Sequence, residues 1–144
     1  MILLSDNESK KCIDSQIKKI FEYLECTPYI LMLLWKKLSY LGVSNTKNKC
    51  IIINVKDIYD DAVKRSKNEE DIKSLKYFFC ENFIQTLIHE CRHLKDSHAE
   101  EDEIEEYQVN EWNRLISDPE FMNSLNEIVL ISDSGFEEFI PEKN

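Results

Sequence analysis

Leu87-Ile88-His89-Glu90-Cys91-Arg92-His93-Leu94 is the stretch on which the interpretation of the whole chain depends. Apolar residues at helical spacing predict one long helix that starts near Glu69 and runs through it: Ile72, Leu75, Phe79, Phe83, Leu87 and Leu94. On a helix, His89 and His93 project from the same face one turn apart, a spacing at which two neutral imidazoles can bind one zinc ion. Glu90 is turned to the side, where it can take a proton from an attacking water and pass it to a leaving amine.

The residues around this H-E-x-x-H motif argue against a chance match. Phe83, Ile84, Leu87, Ile88 and Leu94 surround the motif with apolar side chains and predict a largely buried helix. Buried histidines need partners for their ring nitrogens, because an unpaired buried polar group costs free energy. The sequence therefore predicts a zinc site at the motif.

A catalytic zinc site also needs a third protein ligand and an open coordination position. The pattern HExxHxxGxxH is excluded, because Asp96 and Ala99 stand where it requires glycine and histidine, and His98 is out of register. A carboxylate on the next helix, predicted from about Glu103 to Ile116, is the remaining option. Spacing alone leaves four acids open there: Glu103, Glu105, Glu106 and Glu111.

The segment Glu106-Tyr107-Gln108-Val109-Asn110-Glu111-Trp112 resembles the second motif of gluzincin metallopeptidases. It is similar to the E-x-x-A-N-x-F segment of the ImmA/IrrE family, with Glu106, Asn110 and Trp112 at the Glu, Asn and Phe positions. The resemblance covers residues from about 50 to 116. It implies a minimal zincin-like domain in which His89, His93 and Glu106 hold zinc and Glu90 is general base and acid. It also implies that Asn110 fixes the tautomer of a zinc-binding histidine.

Glu105 is the alternative third ligand, because the apolar face of the same helix also includes it. Three further residues are candidates to stabilise an oxyanion, although a packed or surface role is the simpler interpretation of each: Arg92, His98 and Tyr107. Cys80 and Cys91 are interpreted as small buried hydrophobic residues.

The resemblance implies a zinc-dependent metallopeptidase of narrow specificity that cleaves a protein or peptide substrate, such as a repressor-like regulator. The alternative is a zincin-like module that keeps its metal and docks a protein partner without proteolysis. An accidental motif in a helical interaction protein is a third hypothesis. The net charge of −10 argues against direct nucleic-acid binding, which needs a basic face. The oligomeric state is left open.

Composition predicts a single cytoplasmic domain. The chain has 144 residues and five cysteines without a CxxC pair, which favours a reducing compartment. Residues 1–6 turn polar too early for a signal peptide, and the longest apolar run, residues 29–35, is too short to span a bilayer. The domain is divided into a helical N-terminal part (about 1–45), a metal-site part (about 50–116) and a C-terminal helix with its tail (117–144).

The predicted fold class is α+β, mostly helical, with a small sheet beside the motif helix. Residues 50–55 form the clearest strand, and an extended substrate could be added to it. Residues 41–44 are its hairpin partner, and 1–4 and 128–131 are weaker strand candidates. Helices are predicted over residues 9–25, 57–66 and 119–128. A further helix is predicted from Pro28 to about Leu38, with Thr27 as its N-cap and Gly42 ending it. Residues 137–144 form an acidic tail.

Overall fold

The computed structural model of the chain describes residues 2–5, 17–37, 40–66 and 72–128. Its elements follow in the order β1 (Ile2–Ser5), α1 (Ile17–Tyr23), β2 (Ile30–Leu34), β3 (Gly42–Asn45), β4 (Cys50–Asn54), α2 (Val55–Ser66), α3 (Ile72–Lys95), α4 (Glu101–Ile116) and α5 (Pro119–Ile128). The prediction of a mostly helical α+β fold with a small sheet is confirmed. None of the helices in these ranges is both long and apolar enough to cross a lipid bilayer.

The four strands form one sheet in the order β1-β2-β4-β3. The first three of these run parallel, and β3 pairs with β4 in an antiparallel hairpin whose register sets Gly42 opposite Ile53 and Asn45 opposite Cys50. The predicted hairpin and the weak N-terminal strand are therefore confirmed. Because β4 has neighbours on both sides, the strand with a free edge near the motif helix is β3, and the expectation that β4 receives the substrate is wrong.

The prediction of a helix from Pro28 to Leu38 is wrong, because this segment contains strand β2. Leu31 and Leu33 are fully buried, and their neighbours in the strand are partly covered. A strand flanked by parallel strands is covered on both faces, so its sequence is an apolar run without alternation, which periodicity cannot separate from a buried helix. Gly42, expected to end that helix, lies in β3, and residues 1–45 contain three strands.

Helix α3 is the centre of the molecule and packs against α2, α4, β3 and β4. Its core-facing residues are fully buried, and the rings of Phe79 and Phe83 stack with centroids 6.1 Å apart. Burying one such side chain stabilises the fold by about 1.5–3 kcal/mol. Cys80 and Cys91 are buried, as predicted. The helix prediction from Glu69 is confirmed from Ile72 onward, and residues 67–71 lie outside the described ranges.

The observed ends of the helices show how well residues close in the chain predicted the helix boundaries. The N–H of Glu120 donates to Asp118 Oδ1 at 2.9 Å, which confirms the start of α5 at Pro119 with Asp118 as its cap. Helix α2 begins two residues before the predicted start, and α4 begins at Glu101 instead of Glu103. The acidic first turn of α4 complements the positive end of the helix dipole and extends the helix into the predicted loop. The predicted helical residues 9–16, strand residues 129–131 and tail 137–144 lie outside the described ranges.

Candidate metal centre

His89 and His93 lie in the last two turns of α3, where the helix emerges from the core. Their ring centroids are 5.0 Å apart, and their side chains are 21% and 24% exposed. The donor atoms of His89, Glu90 and His93 all lie within 4.8 Å of one another. The structure thus brings together the three motif residues that the sequence singled out.

The carboxylate that approaches both histidines belongs to Glu101, the first residue of α4. Its Oε1 lies 2.8 Å from His93 Nε2, and its Oε2 lies 3.1 Å from His89 Nε2. The turn between the helices is closed by Asp96, whose Oδ1 accepts the N–H of His98 at 3.1 Å. Sequence reasoning missed Glu101 because it assigned residues 96–102 to a loop. The signal that could have found it is the run of acids, which is typical of a helix N-terminus.

The structure does not bring Glu106, Glu105 or Asn110 to the histidines. All three side chains are exposed, and at 100° per residue Glu106 and Asn110 lie about 140° and 180° around α4 from Glu101. For Glu106 and Asn110 the reason is that the face of α4 turned toward the motif carries Glu101 and Gln108. Glu106 as a zinc ligand stays a prediction, and this arrangement gives it no support.

The partner of His89 is Gln108, which lies on the same face of α4 as Glu101. Gln108 Oε1 is 2.9 Å from His89 Nδ1, and Gln108 Nε2 donates to Gln85 Oε1 at 2.9 Å. Gln85 Nε2 in turn donates to Glu81 Oε1 at 3.3 Å. We call Glu81, Gln85 and Gln108 the amide chain. The side chain that contacts a motif histidine from the middle of α4 is therefore Gln108, whereas Asn110 is exposed.

The amide chain fixes which nitrogen of His89 carries the proton. A carboxylate only accepts hydrogen bonds, so Glu81 orients the NH₂ group of Gln85 toward itself and the carbonyl of Gln85 toward Gln108. Gln108 must then donate to Gln85 and present its own oxygen to His89 Nδ1. His89 Nδ1 therefore donates to Gln108 Oε1, and the other ring nitrogen, Nε2, faces Glu101 Oε2.

This arrangement fits a bound cation. His89 Nε2 and Glu101 Oε2 lie 3.1 Å apart, and two acceptors at that distance repel each other unless a proton on Nε2 or a bound cation lies between them. Two imidazole nitrogens with a carboxylate are the donor types that zinc prefers. His89, His93 and Glu101 could hold such an ion together.

Glu90 lies beside this group and is only 6% exposed. Burial raises the pKa of its carboxyl, while a hydrogen bond from Ser44 and the nearby histidines act in the opposite direction. Ser44 lies on β3, so the edge strand contacts the candidate general base directly. A carboxylate that holds a proton more readily than an ordinary glutamate is suited to accept a proton and pass it on.

Gly42 allows β3 to lie this close to α3. A Cβ at this position would be 2.8 Å from Thr86 Cγ2 and 3.3 Å from Glu90 Cγ. Between the strand and the helix lies a cleft of about 190 Å³, lined by Leu41, Gly42, Thr86, His89, Glu90 and Gln108 among others. The cleft gives a small group access to the side of Glu90.

The other proposed oxyanion stabilisers are placed less favourably. The guanidinium of Arg92 lies over the ring of Tyr107 at 5.0 Å, so these two residues pack on each other. His98 is exposed in the turn before α4. The packed or surface role considered for each of them accounts for these positions.

No protein-family model, curated protein or solved structure matches this chain. Any functional interpretation therefore depends on the residues and on the geometry described above.

Proposed function

We propose that this protein is a zinc-dependent metallopeptidase in which His89, His93 and Glu101 hold the metal and Glu90 is the general base and acid. The observation that carries the proposal is the contact of one carboxylate with both imidazoles, at 2.8 and 3.1 Å, while the Nδ1 proton of His89 is held by Gln108. Two imidazoles and a carboxylate that converge in this way support the binding of a cation. Zinc is the ion that best matches them.

When bound, zinc supplies a Lewis acid that polarises a carbonyl group and lowers the pKa of water. The protein's own residues would do the rest. Glu90 would take the proton of the attacking water on its carboxylate and deliver it to the departing amine. Its burial, which raises its pKa, favours the protonated state that this second step needs.

We infer a peptide substrate from the free edge of β3. Among the residues that the structure describes, this strand pairs with β4 on one side only, and Ser44 contacts Glu90 from it. An extended peptide could add to this edge through backbone hydrogen bonds, which would bring one of its peptide bonds past the candidate metal centre. The cleft of about 190 Å³ beside Glu90 would accept only a small side chain, which favours narrow specificity.

The partner and the location are parts of the same proposal. A regulatory protease acting on a repressor-like protein in the cytoplasm agrees with the free cysteines of the described residues and with the acidic net charge. The charge gives no support to direct contact with nucleic acid.

The first experiment measures metal content and cleavage on the same preparations. Zinc per chain is determined by elemental analysis of wild type, His89→Ala and Glu90→Gln, and cleavage is followed with a library of extended peptides. We expect about one zinc in wild type and in Glu90→Gln, little in His89→Ala, and cleavage by wild type alone. A wild-type protein without zinc would contradict the proposal.

The second candidate function is a metal-holding module that docks a protein partner without cutting it. The same free edge of β3 favours it, because strand addition needs no chemistry. The two functions differ in the need for Glu90, since a docking module has no use for a general base. If Glu90→Gln leaves partner binding intact and the zinc-loaded wild type leaves the partner uncut, the docking module is the correct reading.

A further inference from the structure

The turn that follows α1 places Cys26 against the body of the protein. Glu25 has a left-handed backbone with φ of 51°. Its N–H donates to Glu22 O at 3.2 Å, and the N–H of Cys26 donates to Phe21 O at 3.2 Å. These two bonds form a Schellman motif, which turns the chain back across the end of the helix. Cys26 consequently packs against the hydrophobic core.

The same turn is fastened to the motif helix beside Cys91. Lys95 Nζ donates to Leu24 O at 3.3 Å. Cys91 and Lys95 are four residues apart on α3 and share a face, so the contact that holds Leu24 also sets Cys26 beside Cys91. The two thiols are hydrogen-bonded to each other, and both are free.

We propose that Cys26 and Cys91 are a redox-modification site and form a reversible disulfide when a peroxide is present. The pair lies on the core-facing side of α3, about 160° around the helix from His89. It therefore does not share side chains with the candidate metal centre. The inference stands independently of the proposed function.

Cys26 is the thiol that reacts first. It is half-buried and therefore reachable, whereas Cys91 is 3% exposed. The hydrogen bond from Cys91 and the charge of Lys95 lower the pKa of the Cys26 thiol, although burial acts against them. A larger thiolate fraction makes a cysteine more susceptible to oxidation.

The chemistry balances with hydrogen peroxide as the oxidant. The Cys26 thiolate attacks one peroxide oxygen, the O–O bond breaks, and the departing hydroxide takes up a proton to become water. Cys26 is then a sulfenic acid. The sulfur of Cys91 attacks it, the S–S bond forms, and the S–O bond breaks. The second water leaves with the proton of Cys91. Two thiols are oxidised and one peroxide is reduced to two waters.

The test uses the reduced full-length protein treated with hydrogen peroxide. Free thiols are counted, and non-reducing peptide maps are read by mass spectrometry. We expect the thiol count to fall from five to three, a peptide pair joined through Cys26 and Cys91, and full recovery with dithiothreitol. Cys50→Ser is the matched control, because Cys50 is also partly exposed, and it should oxidise as wild type does.

The variant that decides is Cys26→Ser, since a substitution of the buried Cys91 could disturb folding. Cys26→Ser should keep its four thiols under the same treatment. The proposal is overturned if all five thiols survive in wild type, if the linkage joins other cysteines, or if Cys26→Ser forms a disulfide as readily as wild type. Oxidation of Cys26 beyond recovery by dithiothreitol would also overturn it.

Discussion

His89 Nδ1 lies 2.9 Å from Gln108 Oε1, and this single contact determines how the imidazole faces the neighbouring carboxylate. Gln108 is itself oriented by Gln85 and Glu81, so the orientation of the His89 ring depends on Glu81, a residue two turns earlier on the same helix. The amide chain thus orients a residue of the candidate metal centre, although none of its own members is a candidate ligand.

Replacing Gln108 by leucine should weaken zinc binding. The variant removes the acceptor that holds the Nδ1 proton, and loss of such a partner typically lowers metal affinity about 10- to 100-fold. Competition with a chromophoric chelator measures the affinity, and ¹⁵N chemical shifts of the imidazole report the tautomer in metal-free protein. Asn110→Leu is the matched control on the exposed face and should change neither. Equal losses in both variants would contradict the role of the amide chain.

Glu101→Gln should lower the zinc affinity, and Glu106→Gln should not. Glu101 contacts both histidines, whereas Glu106 is exposed on another face of α4. We expect the Glu101 variant to lose at least as much zinc affinity as the Gln108 variant, which is about 10- to 100-fold or more. The two substitutions make the same chemical change in one helix, which makes them a matched pair. The reverse order of affinities would restore the assignment made from the sequence resemblance.

Gly42→Ala should destabilise the protein by about 1–3 kcal/mol, because the new methyl group overpacks the contact between β3 and α3. The closest atom would be Thr86 Cγ2 at 2.8 Å. Thr86→Ser removes that methyl group, so the double variant should recover part of the loss. Denaturant unfolding of wild type, the two single variants and the double variant gives the coupling free energy between the two positions. A value near zero would show that β3 shifts away from α3 without cost.

The buried thiol of Cys80 should make stability depend on alkaline pH. Burial raises its pKa to about 12, so the folded state keeps the proton where the unfolded state has lost it. The associated stability is present below the unfolded-state pKa and is lost as the pH rises from there toward about 12. The loss is about 1.4 kcal/mol per pH unit. Urea unfolding of wild type and Cys80→Ala at pH 8 and 10 measures it.

In that comparison the wild type should lose more stability than the variant between the two pH values. The difference isolates Cys80, because every other titrating group is common to both proteins. A parallel decline would show that Cys80 does not keep its proton in the folded state.

The sequence predicted most of what is determined locally. The motif helix, the hairpin of β3 with β4 and the Asp118-Pro119 helix start depend on side chains close in the chain, and each is found. Strand β2 could not be recognised, because its apolar run reflects neighbours from β1 and β4 that are distant in sequence.

At the site, the motif itself defined His89, Glu90 and His93, and the structure groups them. The carboxylate that contacts both histidines, Glu101, was not among the acids considered, because the sequence placed the start of α4 at about Glu103. A shift of two residues in that start turns every acid of the helix by about 200° relative to the motif. Gln108 was overlooked for the same reason.

The burial of α3 has a consequence for how the protein would exchange its metal. Most of this 24-residue helix is held by apolar contacts with α2, β3, β4 and α4, and only its last turns carry the histidines. Small domains built around structural zinc unfold when the ion leaves. Here the scaffold has its own core, so removal of the ion would leave the pocket assembled. Under the proposed function, zinc supply would switch the activity on and off while the amount of folded protein stays constant.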